Sequence, residues 1–284
     1  MSNPLSTQER GNREERPHKA GGRALTALVL WPAAAILLYA LLQFLCGTVA
    51  VLVTSISSEV ISVPSWGLAL ALLVSAVVTS AVVLCLPGWG LRGAYKHVGC
   101  SAGAGAAAVM ACLGCLFAFN MVCEFLSLPD MMADTFVDMS TTWTGVLALA
   151  VAGPVCEEIV CRGGMMEPLL RRGVHGWVAV GVSALVFGLI HGNPAQIPFA
   201  CLVGVVFGIV YWRTRSLVLT TACHIINNSV SVWQMRVWGE QSADMTFRSL
   251  WGDWACVGII IAVLAVSGVL LRLFWKQSTG LRAS

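Results

Sequence analysis

Not one Asp, Glu, Lys or Arg falls between Arg23 and Glu59, and none falls between Glu59 and Arg92. A chain cannot keep such stretches at a water surface. A membrane-spanning helix needs ~20 apolar residues, so each stretch accommodates one span. Further apolar runs cover 100–122, 143–170, 177–190, 199–212, 217–233 and 254–274. Composition agrees: charged residues make up 11% of the 284, hydrophobic ones 57%, and mean hydropathy is +0.80. An ordinary soluble domain carries roughly 25% charged residues. With a net charge of only +3, the chain is not a disordered protein, a nucleic-acid binder with a basic face or a water-soluble globular enzyme. The reading is an all-α, polytopic membrane helical bundle of about eight transmembrane helices.

Orientation follows from the Lys and Arg positions. Arg10, Arg13, Arg16, Lys19 and Arg23 precede the first span. Arg92 and Lys96 follow the second, Arg171 and Arg172 the fourth, Arg213 and Arg215 the sixth, and Arg272, Lys276 and Arg282 end the chain. That places fourteen basic residues on one side. The other side holds two, Arg236 and Arg248, alongside Glu59, Glu124, Asp130, Asp134 and Asp138. Both termini are therefore expected in the cytoplasm and the 124–142 connection outside it. Trp66, Trp89, Trp143, Trp177, Trp212, Trp233, Trp254 and Trp275 fall near predicted span ends. Indole, apolar with one donor, favours that interface.

The expected organisation is a polar cytoplasmic tail over 1–23 and three N-terminal helices with an acidic extracytoplasmic loop over 24–142. A catalytic core over 143–274 and a cytoplasmic tail over 275–284 follow. The first apolar run is too long for the ~7–15-residue core of a cleaved signal peptide. There are 11 cysteines, most within apolar runs, which argues against a disulfide framework. Cys112 and Cys115 read as small apolar side chains at a helix interface. The first three spans read as lipid-like, with almost no functional polarity.

The fourth to seventh runs differ, because they carry Glu157, Glu158, Arg162, His191, His224, Asn227 and Asn228. Ionisable groups at membrane depth are costly and therefore functional candidates. Glu158 and Arg162 are four apart on one helical face, where the guanidinium can neutralise the carboxylate. Glu157 points about 100° away, so it must find a partner on another helix or stay protonated. A free, tunable carboxylate beside a paired one suits a general base. Phe187 and His191 share a face, and so do His224 and Asn228, two donors that can converge on one point. Gly204 and Gly208 form a small-x-x-x-small pair that signals packing.

The order E-E-x-x-x-R, F-x-x-x-H, H-x-x-x-N on successive membrane helices resembles the CPBP family of intramembrane endopeptidases. These are of the CAAX-prenyl-protease and bacteriocin-processing type. Glu157, Glu158 and Arg162 match the first motif, Phe187 and His191 the second, and His224 and Asn228 the third. The resemblance implies hydrolysis of a peptide bond in a membrane-associated protein or peptide. Glu157 with His191 would activate water, and His224 with Asn228 would form the oxyanion site. Glu158, Arg162 and Phe187 would support them. No cofactor is expected, because each His lies on its own helix and Asn228 is a poor zinc ligand. A divalent metal such as zinc at Glu157, His191 and His224 is the alternative. Other readings of the chain are a proton-coupled transporter and a catalytically silent scaffold or immunity protein. The expected partners are a peptide substrate and the lipid bilayer, with no nucleic acid.

Straight helices leave a geometric conflict. At ~1.5 Å per residue, Glu157 lies roughly 22 Å from Arg172, and His224 roughly 13 Å from Arg215. His191 is expected farther out than either. Pro154, Pro194 and Pro198 make irregular backbone an expected remedy.

Overall fold

The computed structural model describes residues 30, 33–34, 36–49, 52, 64–85, 95, 98–243 and 245–278. The 1–23 tail, Glu59, Trp89, Arg92, Lys96 and Arg282 lie outside the described residues. Every described element is helical. In chain order they are α1 (Ile36–Val49), α2 (Ser65–Cys85), α3 (Ala102–Glu124), α4 (Ala133–Ser140) and α5 (Trp143–Arg171), then α6 (Gly176–Leu189), α7 (Gln196–Thr214), α8 (Val218–Trp238), α9 (Phe247–Trp251) and α10 (Asp253–Gln277). Of these, α2, α3, α5, α7 and α10 are long and apolar enough to cross a membrane. The remaining three predicted spans correspond to α1, the 14-residue α6, and α8, whose polar residues lower its hydropathy. The chain is an all-α polytopic membrane protein.

Small residues set the closest packing, as they must where lipid offers no competing hydrophobic drive. α6 and α7 meet through Val180 and Ala184 on one side and Gly204 and Gly208 on the other. A Cβ on Gly204 would fall 2.7 Å from the Ala184 Cα. α3 packs along α10, where Gly114 faces Ser267. Cys112 and Cys115 are free and buried in the core, as small apolar side chains. At the base-rich end, the rings of Trp177, Trp212 and Trp275 contact one another, and the Arg213 guanidinium lies 4.1 Å from the Trp275 ring. These contacts tie the start of α6 to the ends of α7 and α10.

The 124–142 connection is not a plain loop, because it contains α4. The preceding turn is clasped to the α6–α7 loop. Asn193, fully buried, donates through Nδ2 to Asp130 Oδ1 at 2.8 Å and accepts the Met131 amide at 3.1 Å.

α5 is the irregular element. It spans 29 residues and carries two π-helical segments, Ala148–Ala152 and Ile159–Met166. Widened turns of this kind are rare and recur at functional sites. Two carbonyls within them accept bonds from neighbouring helices: Leu149 O from Asn228 Nδ2 at 3.1 Å, and Cys161 O from Ser183 Oγ at 3.2 Å. Such partners let non-ideal backbone persist inside a bilayer.

Candidate active site

Glu157 and Glu158 end the short α-helical stretch between the two π segments. Their side chains diverge, as adjacent helical positions must. Glu158 is fully buried and meets Arg162 Nη1 at 3.0 Å. Arg162, also fully buried, donates from Nη2 to Gly204 O at 3.3 Å. That carbonyl lies on the glycine that lets α7 approach closely. The guanidinium lies 4.4 Å from the Phe187 ring centre and 5.6 Å from that of Phe207. Desolvated cation–π contacts of this sort are worth ~2 kcal/mol.

Glu158 has a second partner that spacing alone does not disclose. Its Oε1 accepts from His224 Nδ1 at 3.2 Å. The other nitrogen, His224 Nε2, faces Glu157 Oε2 at 3.6 Å. His191 approaches the same Glu157 oxygen through Nε2 at 4.0 Å. Its Nδ1 donates to Phe187 O at 2.8 Å. The Phe187 ring meets both imidazoles edge-on, with centres 5.2 and 5.6 Å away. Glu157 Oε2 is buried and has no hydrogen-bond partner within the protein. One carboxylate oxygen thus faces two imidazoles whose Nδ1 atoms are already committed.

The depth conflict disappears for identifiable reasons. The expectation that His191 lies farther out is corrected. α6 begins at Gly176, four residues beyond Arg172, and reaches His191 after a rise of roughly 22 Å, the depth of Glu157. The α7–α8 turn is not at the level of Arg172. Arg215 Nη1 meets Glu167 Oε2 at 2.7 Å, and Tyr211 Oη donates to the same oxygen at 2.9 Å. From that shared level, Glu157 and His224 each lie roughly 14–15 Å deeper. Residues Ser216 and Leu217 of the turn are fully buried, so the turn is tucked into the protein.

Asn228 is partly committed. Its Nδ2 bonds Leu149 O, leaving one N–H on that nitrogen, and its Oδ1 accepts from Asn227 Nδ2 at 3.2 Å. The first three spans are also less lipid-like than expected, because polar side chains of α1 and α2 bond one another beside the cavity. Ser75 Oγ donates to Gln43 Oε1 at 2.7 Å, and Gln43 Nε2 donates to Tyr39 Oη at 3.0 Å. Tyr39 and Gln43 line the same cavity as Glu157. One signal was present in the sequence: Tyr39 and Gln43 are the i, i+4 polar pair in an otherwise apolar run.

The cavity has a volume of about 890 Å³ and is lined by Glu157, Phe187, His191, His224 and Asn228 among others. That is at the upper end of the ~300–1,000 Å³ typical of ligand sites.

The family model for the type II CAAX prenyl endopeptidase Rce1-like proteins matches residues 139–230. That stretch holds all three motifs. Residues 139–230 are similar to the Rce1-like endopeptidases. The CAAX-type intramembrane endopeptidases are proteases of membrane-associated peptides and proteins; the chain is an integral membrane protein whose residues 139–230 are similar to them. Neither a curated protein nor a solved structure matches the chain. The Rce1-like match leaves α1–α3 and α10 outside it, although Tyr39, Gln43 and Asn120 also line the cavity.

Proposed function

We propose that the chain cleaves a peptide bond by glutamate-assisted attack of water, without a metal. The observation that carries this reading is the convergence of His191 Nε2 and His224 Nε2 on one oxygen of Glu157. With Nδ1 bound to a carbonyl, neutral His191 presents a lone pair on Nε2. A water between them gives one hydrogen to Glu157 and the other to His191. Its oxygen attacks the scissile carbonyl as Glu157 takes the proton. Glu157 then returns that proton to the leaving amine.

In this reading His224 is charged against Glu158 and donates from Nε2 to the oxyanion. The free N–H of Asn228 is the second donor. Glu158 and Arg162 are positioning residues. The charges of Glu157, Glu158, Arg162 and His224 cancel, as a buried site requires. Asn228→Ala is expected to retain measurable cleavage at ~10²–10³-fold lower rate, the loss typical of one oxyanion donor. Steady-state assays on purified protein check it.

Glu157, His191 and His224 include the ligand types of a catalytic zinc site. The metal-free proposal is tested directly. Protein purified in detergent is dialysed against a strong chelator and assayed on a mixture of quenched fluorescent peptides. Activity is expected to persist. Inactivation that zinc reverses, with loss of bound metal in His191→Ala, would decide for a metallopeptidase.

We further infer an orientation with both termini cytoplasmic, from the basic residues clustered at one end. The catalytic core over 143–274 follows three helices that complete the cavity wall.

A further inference from the structure

α1 lines the cavity with Ile36, Tyr39, Ala40 and Gln43. These positions recur at i, i+3, i+4 and i+7, so they form one face of the helix. Two of the four are polar, and they do different things. Gln43 has a partner on α2: its Oε1 lies 2.7 Å from Ser75 Oγ, a fully buried hydroxyl that also reaches Leu72 O at 2.9 Å. A polar contact between helices joins them inside a bilayer. Among the described residues the Tyr39 hydroxyl bonds only Gln43, four residues on along its own helix. It therefore adds nothing to the joining of α1 and α2.

The direction of this chain of bonds fixes what the phenol can do. Ser75 donates to Gln43 Oε1, and Gln43 Nε2 donates to Tyr39 Oη at 3.0 Å. The phenol keeps one proton to give. Among the described residues no group accepts it. Tyr39 lines the same cavity as Glu157, His191 and His224, so a donor is available beside the catalytic set.

A peptide entering that cavity leaves water, and each main-chain carbonyl it brings needs a donor there. In the peptidase reading His224 and Asn228 serve the scissile carbonyl alone. Much of the remaining wall is apolar, with Ile36, Leu72, Val186, Ile190, Phe199 and Val203. We propose that Tyr39 is a substrate-binding residue, whose O–H donates to a main-chain carbonyl of the peptide other than the scissile one. Gln43 and Ser75 are positioning residues: by donating to the phenol oxygen, Gln43 turns the phenol proton away from α1 and towards the substrate. This inference rests on the peptidase reading.

The test uses the purified full chain and the peptide of the quenched mixture that it cleaves fastest. Tyr39→Phe removes one oxygen and keeps the ring packed. It is expected to raise KM roughly 3–10-fold, the range of one hydrogen bond. kcat should change little, the mark of binding shared by ground and transition states. An unchanged KM would overturn the proposal, and so would a fall in kcat at constant KM. A second readout is one that a merely structural role would not move. The amides of the peptide are replaced by esters one at a time, because an ester carbonyl is the weaker acceptor. At one position the ester is expected to weaken binding to the parent more than to Tyr39→Phe. Equal ester effects in both proteins at every position would overturn the contact, whatever Tyr39→Phe does to abundance. If the parent cleaves no peptide, the peptidase reading fails by itself. A singly labelled form of the mixture is then titrated into parent and Tyr39→Phe protein by fluorescence polarisation. Weaker binding to Tyr39→Phe is expected, and equal binding, or none to the parent, would overturn the proposal.

Discussion

Glu157→Gln is expected to lower peptide cleavage by ~10²–10⁴-fold, the contribution of a positioned general base, while the protein inserts and accumulates normally. The amide is close in shape to the carboxylate but cannot accept the proton of the attacking water. It also removes the negative charge on which the two imidazoles converge at 3.6 and 4.0 Å. Stability should change little, because Glu157 Oε2 makes no hydrogen bond within the protein. His191→Ala and His224→Ala are expected to abolish cleavage as well. Single-turnover rates on detergent-purified protein, normalised to folded protein by gel filtration, provide the measurement. Unaltered cleavage by Glu157→Gln would sink the mechanism and favour a silent scaffold or a carrier.

Arg162→Ala should act on the fold first. The guanidinium is fully buried and holds Glu158 at 3.0 Å, Gly204 O at 3.3 Å and the Phe187 ring at 4.4 Å. Removing it leaves a buried carboxylate with only His224 to balance it. Breaking a buried pair from one side costs about 3–5 kcal/mol, a large part of the stability of most proteins. Protein abundance and melting temperature should both fall. The double substitution Arg162→Met with Glu158→Gln should recover much of the loss, because it removes both charges while roughly keeping the volume. Quantitative blotting of membranes and thermal melts in detergent distinguish the outcomes. A single variant as stable as the parent would show that Glu158 does not depend on Arg162.

The two predictions separate because Glu157 and Glu158 are adjacent but meet different partners. That difference was legible in the sequence. Arg162 lies four residues beyond Glu158, so helical geometry pairs those two and turns Glu157 towards another helix. The spans were legible too, because the bilayer demands apolar runs long enough to cross it. Helix ends were less so: α8 continues to Trp238, five residues beyond the predicted limit, because amphipathic polar residues there lower its hydropathy. α4 was missed, because eight residues in an acidic connection carry too weak a pattern. The Tyr39–Gln43–Ser75 chain was passed over, because isolated polar residues in an apolar run become a cavity wall only when other helices face them.

What the sequence determined by itself is whatever depends on local periodicity and solvent preference: an all-helical membrane protein, the asymmetry of its two faces, and the residues worth placing in a site. Tertiary structure alone decided how deep each of those residues lies. Depth depends on where neighbouring helices begin, and that was set by contacts distant in sequence. The Arg215–Glu167 pair raises the start of α8, and the short α6 delivers His191 to the level of Glu157. The carbonyls of the π segments find their partners in Asn228 and Ser183, on other helices. None of these has a signature in any one segment, because each contact joins groups far apart along the chain.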